Sequence, residues 1–198
     1  MIQCIIFDLS EVLIAGLVGV EAQLTQLISV PEGDILPGFG GEVFEIFLKG
    51  GITENQYFES IISREGWEIE PPRLKAVIRS NFHKRVDGSL EIAQALFSRF
   101  EVALHSDHAA EWIAYIKSIH PWIGMFKHTF FSYELKELKR APKAFEKVLD
   151  SLALPPQHCL LVDDNPVNVE VARSVGMRGI HFQNARQLAR ELRDREIL

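Results

Sequence analysis

The chain is 198 residues long, nearly half of them apolar, with a formal net charge of -6. That length fits one globular domain or a domain carrying a small insertion, with enough apolar side chains for a substantial core. The acidic balance argues against a nucleic-acid or membrane-surface partner, since neither is attracted to a negative surface. At the N-terminus, MIQCIIFDLS has no basic leader and runs from apolar residues straight into a charge. It is read as a first strand over residues 2–8, not as a signal peptide. No apolar run approaches the roughly 20 residues needed to span a bilayer. The two cysteines, Cys4 and Cys159, form no secreted framework. Both are expected to be buried free thiols in a cytoplasmic protein.

The first strand delivers Asp8 to a buried strand end. An unpaired carboxylate there costs several kcal/mol unless something uses it, so Asp8 is read as a nucleophile or a metal ligand. Two positions on, where a second carboxylate would complete an acid–base pair, stands Ser10. From about residue 15 to Asp87 the pattern is helical: 42–48, 54–65 with Thr53 as N-cap, and 73–84 after Pro71-Pro72. The segment PGFGG, 37–41, is expected to be a loop that can flex or approach a ligand, and hence a place to look for specificity. From Ser89 onward short apolar runs alternate with helical patterns. Strands are predicted at 101–107, 128–133, 158–164 and 178–183, and helices at 108–119, 142–151, 166–175 and 184–195. Strands apolar on both faces and joined by helices imply an α/β fold with a parallel sheet covered on both sides. Residues 1–14 and 88–198 would form it, and 15–87 would be a helical insertion.

Ligands of open α/β sheets bind outside the carboxyl ends of the strands. In this chain those ends carry Asp8, Ser106-Asp107 and Asp163-Asp164. Three acidic positions from two strands suit a hard divalent cation, and Mg²⁺ prefers oxygen ligands. Cys4 and Cys159 each lie four residues before Asp8 and Asp163. Neighbouring strands in parallel register would therefore bring both carboxylates together with the thiols beneath them. Plainer readings stand beside these. Ser106 or Asp107 also fits an N-cap of the following helix. Lys139, among Lys136, Arg140 and Lys143, by composition fits a solvated charged face. Asn165-Pro166 reads as an N-cap with proline at the first helical position and no catalytic role. Asn168 either buttresses a metal site or is an ordinary first-turn residue. His105 and His108 flank the site, but an oxygen-rich cluster disfavours them as ligands. Trp112 and Trp122 are most simply core.

Taken in order, these strings resemble the haloacid dehalogenase-like hydrolase superfamily over essentially the whole chain. FDLSEVL is similar to its first motif, FDxDGxL, and HSD to its second. SYELKELKRAP is similar to the third, which places the motif lysine at Lys139, and LVDDNPVNVEVARSVGM to the fourth. FLKGGITENQYF resembles a subgroup with small helical caps that includes sugar-phosphate phosphatases and the phosphatase domain of epoxide hydrolases. The resemblance implies a three-layer Rossmann-like sheet, with 15–87 as the cap. It implies hydrolysis of a small phosphorylated metabolite through an aspartyl-phosphate on Asp8, with Ser106 and Lys139 completing the catalytic set. Ser106, Asp107 and Lys139 would bind phosphate. Mg²⁺ would be held by Asp8, the backbone carbonyl of Ser10, Asp163 and Asp164.

Five residues depart from the family pattern. Ser10 replaces the aspartate that protonates the leaving oxygen and then activates water, help typically worth about 10²–10⁴ in rate. Glu11 replaces a glycine, with a substitute acid as one reading. Asp107 replaces asparagine, and Arg140-Ala141 replaces Pro-Asp. A slow phosphohydrolase is the first expectation, and a catalytically degenerate phosphate-ligand binding or regulatory protein is the alternative.

Overall fold

Five parallel strands form one sheet in the order β3-β2-β1-β4-β5 in a computed structural model that describes residues 1–198. The strands are β1 (Cys4–Phe7), β2 (Glu101–Ser106), β3 (His128–Phe131), β4 (Cys159–Asp163) and β5 (Arg178–His181). The central strands β2, β1 and β4 are buried and mostly apolar on both faces, which is what a sheet covered on both sides requires. Eleven helices surround it. Those before β2 are α1 (Glu21–Leu24), α2 (Glu32–Gly38), α3 (Glu42–Leu48), α4 (Glu54–Glu65), α5 (Pro71–Asn81) and α6 (Ser89–Leu96). Those after it are α7 (Ala110–Ile119), α8 (Ser132–Leu135), α9 (Pro142–Leu152), α10 (Pro166–Ser174) and α11 (Ala185–Asp194). No helix is long and apolar enough to cross a membrane.

The alternation of side chains along each strand sorts the core into two layers. Ile5, Phe7, Val102, Leu104, Leu160 and Val162 face the layer that also holds Leu96, Trp112 and Leu188. Cys4, Ile6, Ala103, Cys159 and Leu161 face the other, against Phe145 and Val148 of α9 and Ala172 of α10. The α/β three-layer architecture expected from the sequence is present.

The register brings β1 and β4 side by side with Cys4 opposite Cys159 and Phe7 opposite Val162. Asp8 and Asp163, one residue beyond each pair, therefore leave the sheet together. Both thiols are free and fully buried. Burial pushes Cys4 up to about 12 and Cys159 up to about 11, so neither ionises readily.

Thr53 caps α4 as its spacing predicts: its side chain accepts from the Gln56 N–H, and the Gln56 side chain accepts from the Thr53 N–H at 2.9 Å. The PGFGG expectation is corrected. Pro37 and Gly38 close α2, and the following Phe39 packs on Trp67 with ring centroids 5.3 Å apart. None of these five residues lines the main cavity.

The chain leaves the sheet and returns to it along one seam. Ala15 N–H donates to Lys84 O at 2.9 Å, and Val86 N–H donates to Leu13 O at 3.0 Å. The helices in between are tied down by Glu54, only 2% exposed. Its carboxylate takes Lys75 at 2.6 Å, Arg79 at 2.8 Å and the indole N–H of Trp112 in α7 at 3.1 Å. A buried charge with this many donors is satisfied, and the network locks α4, α5 and α7 together.

Candidate active site

At the carboxyl ends of β1, β2 and β4 a cavity of about 310 Å³ opens. Asp8 sits at its floor, 6% exposed, held from below by its own N–H, which donates to Val162 O at 2.9 Å. Its Oδ1 accepts from the Leu9 N–H and from Ser106 Oγ, each at 2.6 Å. Its Oδ2 takes Lys139 Nζ, also at 2.6 Å. The same ammonium lies 2.6 Å from Asp163 Oδ2. Lys139 is thus a bridge between two strand-end carboxylates, and it is 1% exposed. Its sequence neighbours suggested a solvated charged face; the structure puts it in the floor. Burial works against its charge, but Asp163, Asp8 and Asp107 outweigh that and hold the ammonium above the ordinary lysine range.

Asp163 is oriented from the other side. Its Oδ1 accepts from the Asn165 N–H at 2.9 Å and from Asn168 Nδ2 at 3.1 Å. Asn168 therefore buttresses the acidic pair, the first of its two sequence readings. Asn165 caps α10 through the Val167 N–H, with Pro166 in the first turn. Asp164 lines the cavity beside them and is pushed up to about 7, first by burial and then by the charges of Asp8 and Asp163. Asp8, Asp163 and Asp164 each offer a carboxylate oxygen, all within 4.8 Å of one another. Five carboxylates in and around this cavity face one ammonium. That excess of hard oxygen ligands fits a divalent cation of the Mg²⁺ type.

Three of the departures, Glu11, Asp107 and Arg140, make specific local contacts. Glu11 holds the left-handed conformation, φ 58°, that glycine adopts without strain. Its Oε1 offsets the cost by accepting from the Gly16 N–H at 2.8 Å and the Val18 N–H at 3.2 Å. Those bonds fix the 16–18 loop on the cavity wall, and Asn81 Nδ2 holds the same loop through Gly16 O and Val18 O, both at 2.8 Å. Arg140 pairs with Glu45 of α3.

Asp107, expected to bind phosphate, lines the cavity, and its carboxylate accepts the Lys139 N–H, at 3.1 and 3.2 Å, and so positions the lysine. Burial pushes Asp107 up to about 6. A carboxyl raised from 3.8 to 6 contributes stability that is complete below 3.8 and is lost as pH rises through 6. Asp107→Asn keeps an acceptor for that N–H and removes the charge. It is expected to be more stable than wild type at pH 8, by about 1–2 kcal/mol, and to have lost most of that advantage at about pH 4. Urea denaturation at the two values checks this.

The histidines separate. His105 turns to the far face of the sheet, its ring 5.2 Å from that of Phe145 and both nitrogens unpaired. His108 stays in the site. It bonds two hydroxyls, Ser106 Oγ at 3.0 Å from Nδ1 and Ser10 Oγ at 3.1 Å from Nε2. Nothing in the sequence marked it beyond its place in HSDH at a strand end. Opposite the carboxylates the cavity wall is apolar, formed by Leu17, Phe44, Leu48, Phe82 and Trp112.

A family model described as haloacid dehalogenase-like hydrolase matches residues 2–176. Flavin mononucleotide hydrolase 1, a chloroplast protein of Arabidopsis thaliana, is 30% identical over 149 residues. That match takes in 75% of this chain and 60% of the plant protein, so the chain spans under two thirds of that relative's length. A haloacid dehalogenase family enzyme of Bacteroides thetaiotaomicron superposes with a TM-score of 0.80 at 20% identity, over 96% of this chain and 98% of its own. The same enzyme in complex with magnesium and inorganic phosphate superposes at 0.72, with 21% identity, over 93% and 96% of the two chains. A haloacid dehalogenase-like family hydrolase from Porphyromonas gingivalis superposes at 0.76, with 19% identity, over 98% of both chains.

Proposed function

This chain belongs to the haloacid dehalogenase-like hydrolase family, and we propose that it is a phosphatase that hydrolyses a small phosphomonoester on Asp8 with the help of Mg²⁺. The observation that carries this reading is the shared ammonium: Lys139 stands 2.6 Å from both Asp8 and Asp163 while Ser106 holds the other oxygen of Asp8. A carboxylate attacks phosphorus only where the repulsion of the phosphoryl oxygens is screened, and a fixed ammonium screens it. Attack by Asp8 forms an aspartyl-phosphate and splits the hydrolysis into two displacements. Ser106 and Lys139 receive the equatorial oxygens. Asp8, the Ser10 carbonyl, Asp163 and Asp164 would hold Mg²⁺, which when bound supplies further charge neutralisation. The helical segment 15–87 acts as a cap, closing the cavity with Phe44, Leu48 and Phe82.

The lining also bears on the substrate. Lys139 is the one lysine or arginine on the cavity wall, and it already serves the carboxylates. A second phosphate or a carboxylate on the substrate would find no partner. The apolar wall suits a monophosphate whose organic part presents a flat or greasy face, and flavin mononucleotide is the compound of this class that the plant relative's name brings forward. Ser10 makes the enzyme slow, because serine has no usable pKa for proton transfer.

The test is Mg²⁺-dependent phosphate release from flavin mononucleotide, a generic aryl phosphate and a sugar bisphosphate. The first two are expected to turn over slowly and the bisphosphate not at all. Ser10→Asp is expected to raise the rate by about 10²-fold. Preference for the bisphosphate would refute the reading of the cavity wall, and a Ser10→Asp protein no faster than wild type would refute the role given to position 10.

A further inference from the structure

The scheme above leaves His108 without a task, although the ring is 3% exposed and touches two groups of the site. It sits in the β2–α7 connection, its centroid 6.3 Å from that of Phe82 and 6.1 Å from that of Trp112. The direction of its hydrogen bonds follows from Asp8. Ser106 Oγ lies 2.6 Å from Asp8 Oδ1, and neither a carboxylate paired with an ammonium nor a bound phosphoryl oxygen has a proton to give, so the Ser106 proton goes to one of these and not to the ring. Ser106 Oγ must then accept from His108 Nδ1–H. The ring is enclosed beside Phe82 and Trp112 and bonds only to the two hydroxyls, with no carboxylate to pair a charge, so it is neutral and carries a single N–H. With that proton on Nδ1, Nε2 has only a lone pair, and Ser10 must donate its hydroxyl proton to it.

We propose that His108 is a positioning residue that turns the Ser10 hydroxyl into a fixed hydrogen-bond acceptor facing the cavity, where it orients the water that hydrolyses phospho-Asp8. The proposal rests on the phosphohydrolase reading. Ser10 cannot take a proton from that water as an aspartate would. With its own proton held by His108, it presents only lone pairs to the water O–H, which keeps the orienting half of the lost carboxylate's work. In the step itself the water oxygen bonds phosphorus, the bond from phosphorus to the Asp8 oxygen breaks, and the surplus water proton leaves with the phosphate. Without His108 the Ser10 hydroxyl would rotate freely and donate as readily as it accepts. The ring acts through direction and not through a change of charge.

Two measurements test this. In ¹⁵N-histidine-labelled wild type, His108 is expected to show the pattern of a neutral ring protonated at Nδ1 and bare at Nε2, unchanged across the neutral pH range. The opposite tautomer or an imidazolium would overturn the proposal, and this arm needs no variant to fold. Kinetics of Ser10→Ala, His108→Phe and the double variant on an aryl phosphate form the second arm. Each single change is expected to lower kcat about tenfold with KM within about twofold, and the double variant to be no slower than either. Losses that multiply, or a His108→Phe protein with wild-type kcat, would overturn it. A wild type no faster than Asp8→Asn would instead remove the phosphohydrolase reading, and the tautomer measurement would still decide the hydrogen-bond direction.

Discussion

Asp8→Asn is expected to lose Mg²⁺-dependent phosphate release by about 10⁴-fold or more while keeping the fold. The argument is geometric. An amide oxygen at Oδ1 can still accept from the Leu9 N–H and from Ser106 Oγ, and Lys139, which cannot bond the new NH2, keeps Asp163 as its partner. What is lost is the anionic Oδ2 that faces Lys139 and the cavity, and an amide is no nucleophile toward phosphorus. The variant also removes one of several crowded carboxylates, so its thermal midpoint should stay within a few degrees of wild type. Phosphate release, a melting curve and mass spectrometry after acetyl phosphate treatment check the three parts. Wild type should retain phosphate on Asp8, because slow dephosphorylation is what Ser10 predicts, and Asp8→Asn should not. Equal rates in the two proteins would end the assignment of Asp8 as the phosphoryl acceptor.

Much of this site was legible because strand registry is a simple code. Cys4 and Cys159 set the same distance to Asp8 and Asp163, and parallel pairing converts that into adjacency. Strand ends, the Thr53 and Asn165 caps and the acidic cluster follow from local pattern. The parts that were not legible depend on where a side chain turns. Glu11 reads as a spare acid until its Oε1 is seen holding the Gly16 and Val18 amides. Asp107 reads as an anion-site residue, and only the structure adds that both its oxygens accept from the Lys139 amide. Position in the chain said that His108 was near; only its two ring contacts show what it bonds. PGFGG failed for another reason, since glycine content marks permissiveness and not proximity to a ligand.

Lys139→Met carries the largest expected effect on stability. The ammonium is the one buried cation that Asp8 and Asp163 share, and Asp107 binds the amide of the same residue. An uncharged side chain of similar reach leaves those carboxylates facing one another in a dry floor. Breaking a buried pair by removing one partner costs about 3–5 kcal/mol. For a chain of this size that is a fall in Tm of roughly 10 °C in the presence of a chelator. Mg²⁺ should recover part of the loss, since Asp8, Asp163 and Asp164 offer it oxygens within 4.8 Å of one another. Phosphate release should stay lost in either condition, because the screening of the phosphoryl oxygens by the ammonium is gone. Lys139→Arg should not rescue it: a planar fork cannot occupy a slot that is 1% exposed and shaped for one tetrahedral nitrogen between two oxygens. Melting curves with chelator and with Mg²⁺ separate the two roles. A Lys139→Met protein that melts like wild type in chelator would mean that the carboxylates are not held apart by this ammonium, and the cluster would then have to be neutralised by protons instead.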